Sequence, residues 1–140
     1  MSMTIGVLWD RVVALTLAQG YVQANEPFNF DLQPSQALDR MFVISSDRVG
    51  TEGYMGGDQA EQHQFVVFLA QRVKRNGWGA ARQLKVDLDT LEQAIGDDYP
   101  AYDYHLLDDR IESQVQPPAA DRDFVIGRLQ ATLEFEHDLS

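Results

Sequence analysis

The residues best suited to chemistry lie in the stretch LEFEHD, where Glu134, Glu136 and Asp138 alternate with Phe135 and His137. On a β-strand these three carboxylates share one face, with Cβ atoms about 7 Å apart along the strand. Such a row is able to hold a hard cation through oxygen, or to supply an acid/base pair. Like charges so close repel each other, so a buried row would be costly. The D-x-[DN]-x-[DN]-G pattern of a calcium loop is missing. Two other readings remain: a charged surface turned to a channel or a basic neighbour, and a plain solvated face. The row is taken as an assembly or channel surface, with the solvated face as the alternative.

Other constellations are thinner. Ser45-Ser46 lies in VISSD, which is not a G-x-S-x-G elbow, and no histidine is near it in sequence. A structural role on a strand is expected. GTEGYMGGD has the glycines of a phosphate cradle but no G-K-[ST], and no helix follows to present its N-terminus. His63, His105 and His137 are scattered singly, without H-E-x-x-H spacing. No catalytic residue, cofactor or metal site is therefore expected.

Charge narrows the partners. The formal net charge is −11, which disfavours free nucleic acid, since phosphate binding needs clustered Lys and Arg in excess. Residues 97–140 hold eleven Asp/Glu against three Arg, a local net of −8, while Arg72, Lys74, Arg75, Arg82 and Lys85 fall within fourteen positions. An acidic tail and a basic band on one chain permit head-to-tail self-association, and ordinary solvated surface is the plainer reading. With no cysteine, a disulfide framework and Cys-based zinc sites are excluded. Asp10 and Arg11 interrupt the first apolar run, which also lacks a basic start, so no signal peptide is read there. No window has the 18 or so apolar residues of a membrane span.

The elements that must position these residues follow from periodicity. Ile5, Leu8, Val12, Leu15 and Ala18 predict a helix over 4–22, with Thr4 as N-cap and Gly20 as stop. Phe28, Phe30 and Leu32 alternate in an extended stretch, and Met41–Ser46 reads as a short strand. The next twelve residues, 47–58, hold four glycines and read as a flexible loop. Glu61–Val73 alternates with apolar residues on both faces, which predicts a central strand covered on both sides. Ala81, Leu84, Leu88, Leu91 and Ile95 predict a second helix ending at Gly96. Trp78, between two glycines, is expected to plug the sheet-to-helix corner. Tyr99, Tyr102 and Tyr104 suit either an interface patch or packing under a long connection. Asp109–Gln116 reads as a strand. The last strand, from Phe124, carries Val125, Leu129, Ala131, Leu133 and Phe135 on one face and Arg128, Gln130, Thr132, Glu134 and Glu136 on the other. The oily set should lie under the helices. The sum is one α+β domain over residues 1–140, with a mixed, largely antiparallel sheet of about four strands covered by two main helices.

This layout resembles the tail-terminator, or tail-completion, proteins of long-tailed bacteriophages. The resemblance rests on an N-terminal helix, an F-V-I strand, a glycine-bearing loop and a long strand ending in Q-R-V. A following amphipathic helix and a terminal G-R-L-x-x-x-L-E-F-E strand complete it, so that it spans Ile5 to Asp138. It implies a structural virion protein forming a homo-hexameric ring that caps the tail tube, stops its polymerisation and joins it to the head-tail connector or stopper protein. DNA would pass through the ring without specific binding, and there would be no cofactor and no membrane. The implied location is the phage neck, with the host cytoplasm during assembly. The resemblance also implies a tube- or neighbour-contacting loop of Val49, Gly50, Thr51, Glu52, Gly53, Tyr54, Met55, Gly56, Gly57 and Asp58. Arg72, Lys74 and Arg75 join it in the expected interface, opposite an acidic row of Glu134, Glu136 and Asp138. A head-tail joining or head-completion protein, or another small acidic protein-binding module, is the alternative.

Overall fold

The structure, a computed structural model, describes residues 3–24, 39–53, 58–73, 77–107, 111–117 and 124–138. In chain order they form α1 (Ile5–Leu17), β1 (Val22–Gln23), β2 (Met41–Gly53), β3 (Asp58–Arg72), α2 (Gly77–Gly96), β4 (His105–Leu106), β5 (Glu112–Val115) and β6 (Phe124–Asp138). The class is α+β. The sheet order is β1-β2-β3-β6-β4, with β5 also on the outer side of β6, and only the β1–β2 pair is parallel. The sheet thus has six strands rather than about four among the described residues. The two extra strands, β1 and β4, are two residues long, too short for any alternation to register.

The ladder between β3 and β6 sets the rest. It runs without a register break from Asp58↔Asp138 to Arg72↔Phe124, so odd residues face odd and even face even. Phe65, Val67 and Leu69 of β3 and Leu129, Ala131, Leu133 and Phe135 of β6 are buried with Leu84, Leu88, Leu91 and Ile95 of α2 and Leu8 and Val12 of α1. Both helices therefore cover one face, and the oily set of the last strand lies beneath them. At Gly127 the approach is close: a Cβ there would stand 2.9 Å from Leu88 Cδ1. The opposite face carries a smaller cluster of Ala70, Phe124 and Ile126 with Phe68 packed against it. β3 is central as expected, and its second face is less deeply covered, with Val66 and Phe68 half-buried.

Several sequence readings need correction. The first helix ends at Leu17, not residue 22. Gly20 turns the chain at φ 90°, open to glycine at no steric cost, and Tyr21 goes into the core instead. Thr4 is the N-cap, accepting from Val7 N at 3.2 Å. The buried stripe of α1 is Leu8–Val12–Thr16; Ile5 is exposed, and Thr16 hides its hydroxyl by donating to the Val12 carbonyl at 2.9 Å. Trp78 plugs no corner, being 71% exposed. α2 begins at Gly77, and of the strand read over 109–116 the structure shows Glu112–Val115, residues 109 and 110 lying outside the described residues.

The glycine-rich stretch departs furthest from expectation. Val49 to Gly53 continue β2, and Asp58 opens β3, in register from Gly50↔Gln62 to Gly53↔Gln59. The register shifts between Arg48 and Gly50, leaving Val49 as a β-bulge. Ladder hydrogen bonds use main-chain groups that glycine also has, so pairing offsets its weak strand propensity. The interface expected at Tyr54, Met55, Gly56 and Gly57 lies outside the described residues, as do Lys74, Arg75 and the extended stretch around Phe28, Phe30 and Leu32.

Candidate functional site

Where β6 nears its end, its even residues turn away from the helices. Gln62 and His105 flank Glu134 on the neighbouring strands β3 and β4. Gln62 Nε2 donates to Glu134 Oε2 at 2.8 Å. Beside them opens a cleft of about 380 Å³ lined by Tyr99, Asp103, His105, Glu134, Phe135 and Glu136. The Tyr99 ring lies against the His105 ring at 4.2 Å between centroids, tilted by 37°. Asp103, His105 and Glu136 are exposed and Glu134 half-buried, so the cleft is open, acidic and walled on one side by an aromatic pair.

A buried polar clamp fixes this wall. Arg11 of α1 donates from two nitrogens to the two carboxylate oxygens of Asp98, both at 2.7 Å, a bidentate pair between residues 87 positions apart. Tyr104 donates its hydroxyl to Asp98 Oδ2 at 2.8 Å, and the Arg11 guanidinium lies 4.1 Å over the Tyr102 ring. Burial alone would raise the Asp98 carboxyl, but the hydrogen bonds from Arg11 and Tyr104 and the Arg11 charge outweigh it, leaving it below the usual carboxylate range. The Arg11 guanidinium is held further up by its hydrogen bond to Asp98. Burial, then the bond to Asp98, pushes the Tyr104 hydroxyl well above an ordinary phenol. The clamp thus pins the connection from Asp98 to His105 that forms one wall of the cleft.

Of the acidic row, Glu134 and Glu136 reach the cleft, while Asp138 pairs with Asp58 on the last rung at this same end of the ladder. Among the described residues no group of three or more His, Asp or Glu side chains is arranged to hold a metal ion. Of the basic residues, Arg72 ends β3 ten residues beyond Gln62, the ladder partner of Glu134. At about 3.4 Å per residue, Arg72 stands roughly 34 Å from the acidic row. Arg82 and Lys85, both exposed, lie in the first half of α2, toward that same end. The structure keeps Arg72, Arg82 and Lys85 apart from Glu134 and Glu136, toward opposite ends of one sheet, while Arg11 and Arg48 stand at the acidic end in pairs with Asp98 and Glu61.

Strand pairing also brings together residues that are distant in sequence. Ser46 opposes Phe65 and Arg48 opposes His63, so Ser46 and His63 are diagonal neighbours on the helix-covered face. No hydrogen bond joins them. Among the described residues, Ser46 Oγ and His63 Nε2 are both buried without a hydrogen-bond partner, and His63 stacks on Phe135 at 5.5 Å between ring centroids. His63 Nε2 lies 3.7 Å from the Glu61 carboxylate, itself 3.3 Å from Arg48. The structural role expected of Ser45-Ser46 fits this placement.

Sequence reasoning singled out Glu134 and Glu136 but missed Asp103 and His105 and the pairing of Tyr99 with His105. The alternation of β6 exposed the first two. The others come from a connection whose path depends on Arg11, which no local pattern links to Asp98. No protein-family model matches the chain, and no curated protein matches it significantly.

Proposed function

We propose that the chain is a structural subunit of a six-membered ring that caps a phage tail tube, halts its polymerisation and meets the head-tail connector. The support is the polarity of the sheet, with an acidic cleft at one end and Arg72, Arg82 and Lys85 toward the other. Arg72 and the acidic row, roughly 34 Å apart, cannot neutralise each other within one subunit. They do so against a second copy in a head-to-tail, heterologous contact, which yields a ring when the rotation closes. Its partners in this reading are itself, the tail tube protein and the connector. DNA passes through an acidic ring without being bound, because the −11 charge repels phosphate. The virion neck is the site of action and the host cytoplasm the site of assembly. No catalysis and no cofactor enter the scheme. Among the described residues, no helix is long and apolar enough to cross a membrane.

The test is mass by light scattering with particle imaging. A hexamer with a central hole is expected. Charge reversal at Arg72, Lys74 and Arg75 should weaken assembly more at low salt than at high, because salt screens exposed charges. Equal loss at both would remove the electrostatic contact, and a strict monomer at high concentration that ignores tail tubes would remove the ring. The second reading, a head-completion protein or small acidic binding module, is favoured by the cleft itself, which presents carboxylates and an aromatic wall on a single chain. A stable monomer that binds one basic partner protein would select it.

A further inference from the structure

α2 leaves an exposed aromatic side chain near each of its ends. Trp78, in the first turn, is 71% exposed, and Tyr99, just past the last turn, is 47% exposed. A tryptophan held out in water presents a large apolar ring of the kind that interfaces between proteins bury. The helix repeat sets Arg82 one turn beyond Trp78 and Lys85 and Val86 two turns beyond, all of them exposed on the outward face. Ala80, Leu84 and Leu88 turn the other way, into the core. Among the described residues neither Arg82 nor Lys85 forms an ion pair. The patch is therefore aromatic with a positively charged rim, and it ends at the next turn with Asp89.

We infer that Trp78 of one copy seats in the acidic cleft of a second copy, against the Tyr99–His105 pair, with Arg82 and Lys85 reaching the carboxylates of Glu134, Glu136 and Asp103. The cleft, of about 380 Å³, falls within the range of roughly 300–1,000 Å³ in which pockets close around a compact group. Its lining matches the patch: aromatic rings pack against an indole, and carboxylates take guanidinium and ammonium groups. The cations nearest the cleft do not compete, since Arg11 is paired with Asp98 and Arg48 with Glu61. Trp78 cannot fill the cleft of its own chain. It lies eighteen residues before Gly96, about 27 Å along the axis at 1.5 Å per residue, and Tyr99 and His105 wall the cleft beyond that end. A second copy carries the complementary patch. The contact rests on the head-to-tail association proposed for the two charged ends, and it adds an apolar anchor. Charge alone does not supply one, because exposed ion pairs are weak.

Trp78→Ala should weaken self-association roughly thirtyfold, as for a tryptophan at the centre of an interface, and leave the thermal transition of the dilute protein unchanged. Trp78→Phe, which keeps a ring, should recover part of the loss. Glu136→Lys tests the cleft without touching Trp78 and should also weaken association. Mixing the two defective chains is the sharpest step. The Glu136→Lys chain keeps its Trp78 and the Trp78→Ala chain keeps its cleft, so together they should form a one-to-one pair by light scattering and grow no further. A Trp78→Ala chain that associates like wild type, or a mixture that stays monomeric, overturns the seating. A hexamer that survives Trp78→Ala sinks the seating and leaves the ring. A wild-type assembly that stops at a two-fold dimer or grows into an open filament, and is lost in W78A, sinks the ring and leaves the seating. A wild-type chain that is a strict monomer at high concentration overturns both.

Discussion

Two clamps hold α1 and the turn after it against α2 and its sequel, and they use nearly the same parts. In one, Asp98 accepts the Tyr104 hydroxyl and Arg11 lies over the Tyr102 ring. In the other, Asp87 accepts the Tyr21 hydroxyl at 2.6 Å and Arg40 lies 4.6 Å over the Tyr21 ring. The difference is where the arginine sends its protons. Arg11 gives them to Asp98. Arg40 gives them to the carbonyls of Gln19 and Gly20 and to Gln71, closing the C-terminal end of α1, while Gln83 is the second donor to Asp87 at 3.0 Å. The clamp beside the acidic cleft therefore rests on an ion pair, and the distant one on neutral donors. The end bearing the candidate site is the one whose geometry responds to charge.

The sharpest way to break this comparison is to remove one donor from each clamp. Arg11→Ala leaves a buried Asp98 with only Tyr104, and the loss should be about 3 kcal/mol, the lower end for a broken buried pair because Arg11 is partly exposed. Tyr21→Phe leaves Asp87 its bond from Gln83 and should cost about 1 kcal/mol. Denaturant midpoints measure both. If Tyr21→Phe proves the costlier change, the ion pair is not the dominant tie.

The acid limb separates the clamps further. The Asp98 carboxyl is lowered in the folded chain, so its stabilisation is present above the ordinary carboxylate pKa of about 4 and is lost as pH falls through the folded value. Asp98→Asn should start less stable at neutral pH and show a shallower decline as pH falls below about 4. Tyr21→Phe should keep the wild-type decline. The alkaline limb unites them: burial raises the hydroxyls of both Tyr21 and Tyr104, so their stabilisation is fully present below the ordinary phenol value near 10 and declines as pH climbs from there toward the raised folded value. Either phenylalanine variant should soften the alkaline decline in thermal melts, by less than Arg11→Ala costs at neutral pH.

Neither clamp was visible in the sequence, for a physical reason. The alternation of β3 and β6 and the helical spacing of Leu84, Leu88, Leu91 and Ile95 are local, and each long element they predicted is present with ends close to those read. Arg11 with Asp98 and Tyr21 with Asp87 are 87 and 66 positions apart, joined only after the sheet has placed both helices on one face. Thr16 misled the reading of α1 in a similar way: a hydroxyl that bonds back to Val12 travels inside as readily as a valine. At the candidate site the division is the same. Glu134 and Glu136 show in the period of β6, while Tyr99, Asp103 and His105 arrive with a connection that the Arg11 clamp holds in place.

The smallest effect on folding should come from the cleft itself. Glu134→Gln keeps a side chain able to bond Gln62 and removes one charge from an open, acidic face, so stability should change by no more than about 0.5 kcal/mol. Relief of repulsion from Glu136 and Asp103 pushes toward stabilisation, and the loss of a charged acceptor for Gln62 pushes against it, so the two nearly cancel. Self-association should not cancel in this way. If the cleft meets the basic end of a neighbour, losing one carboxylate weakens that contact at low ionic strength, and the difference from wild type shrinks as salt shortens the reach of the field to about 8 Å near 0.15 M. Sedimentation across a salt series gives the answer. A variant that assembles like wild type at every salt concentration would assign the cleft to solvent, and the charge polarity of the sheet would then need another partner.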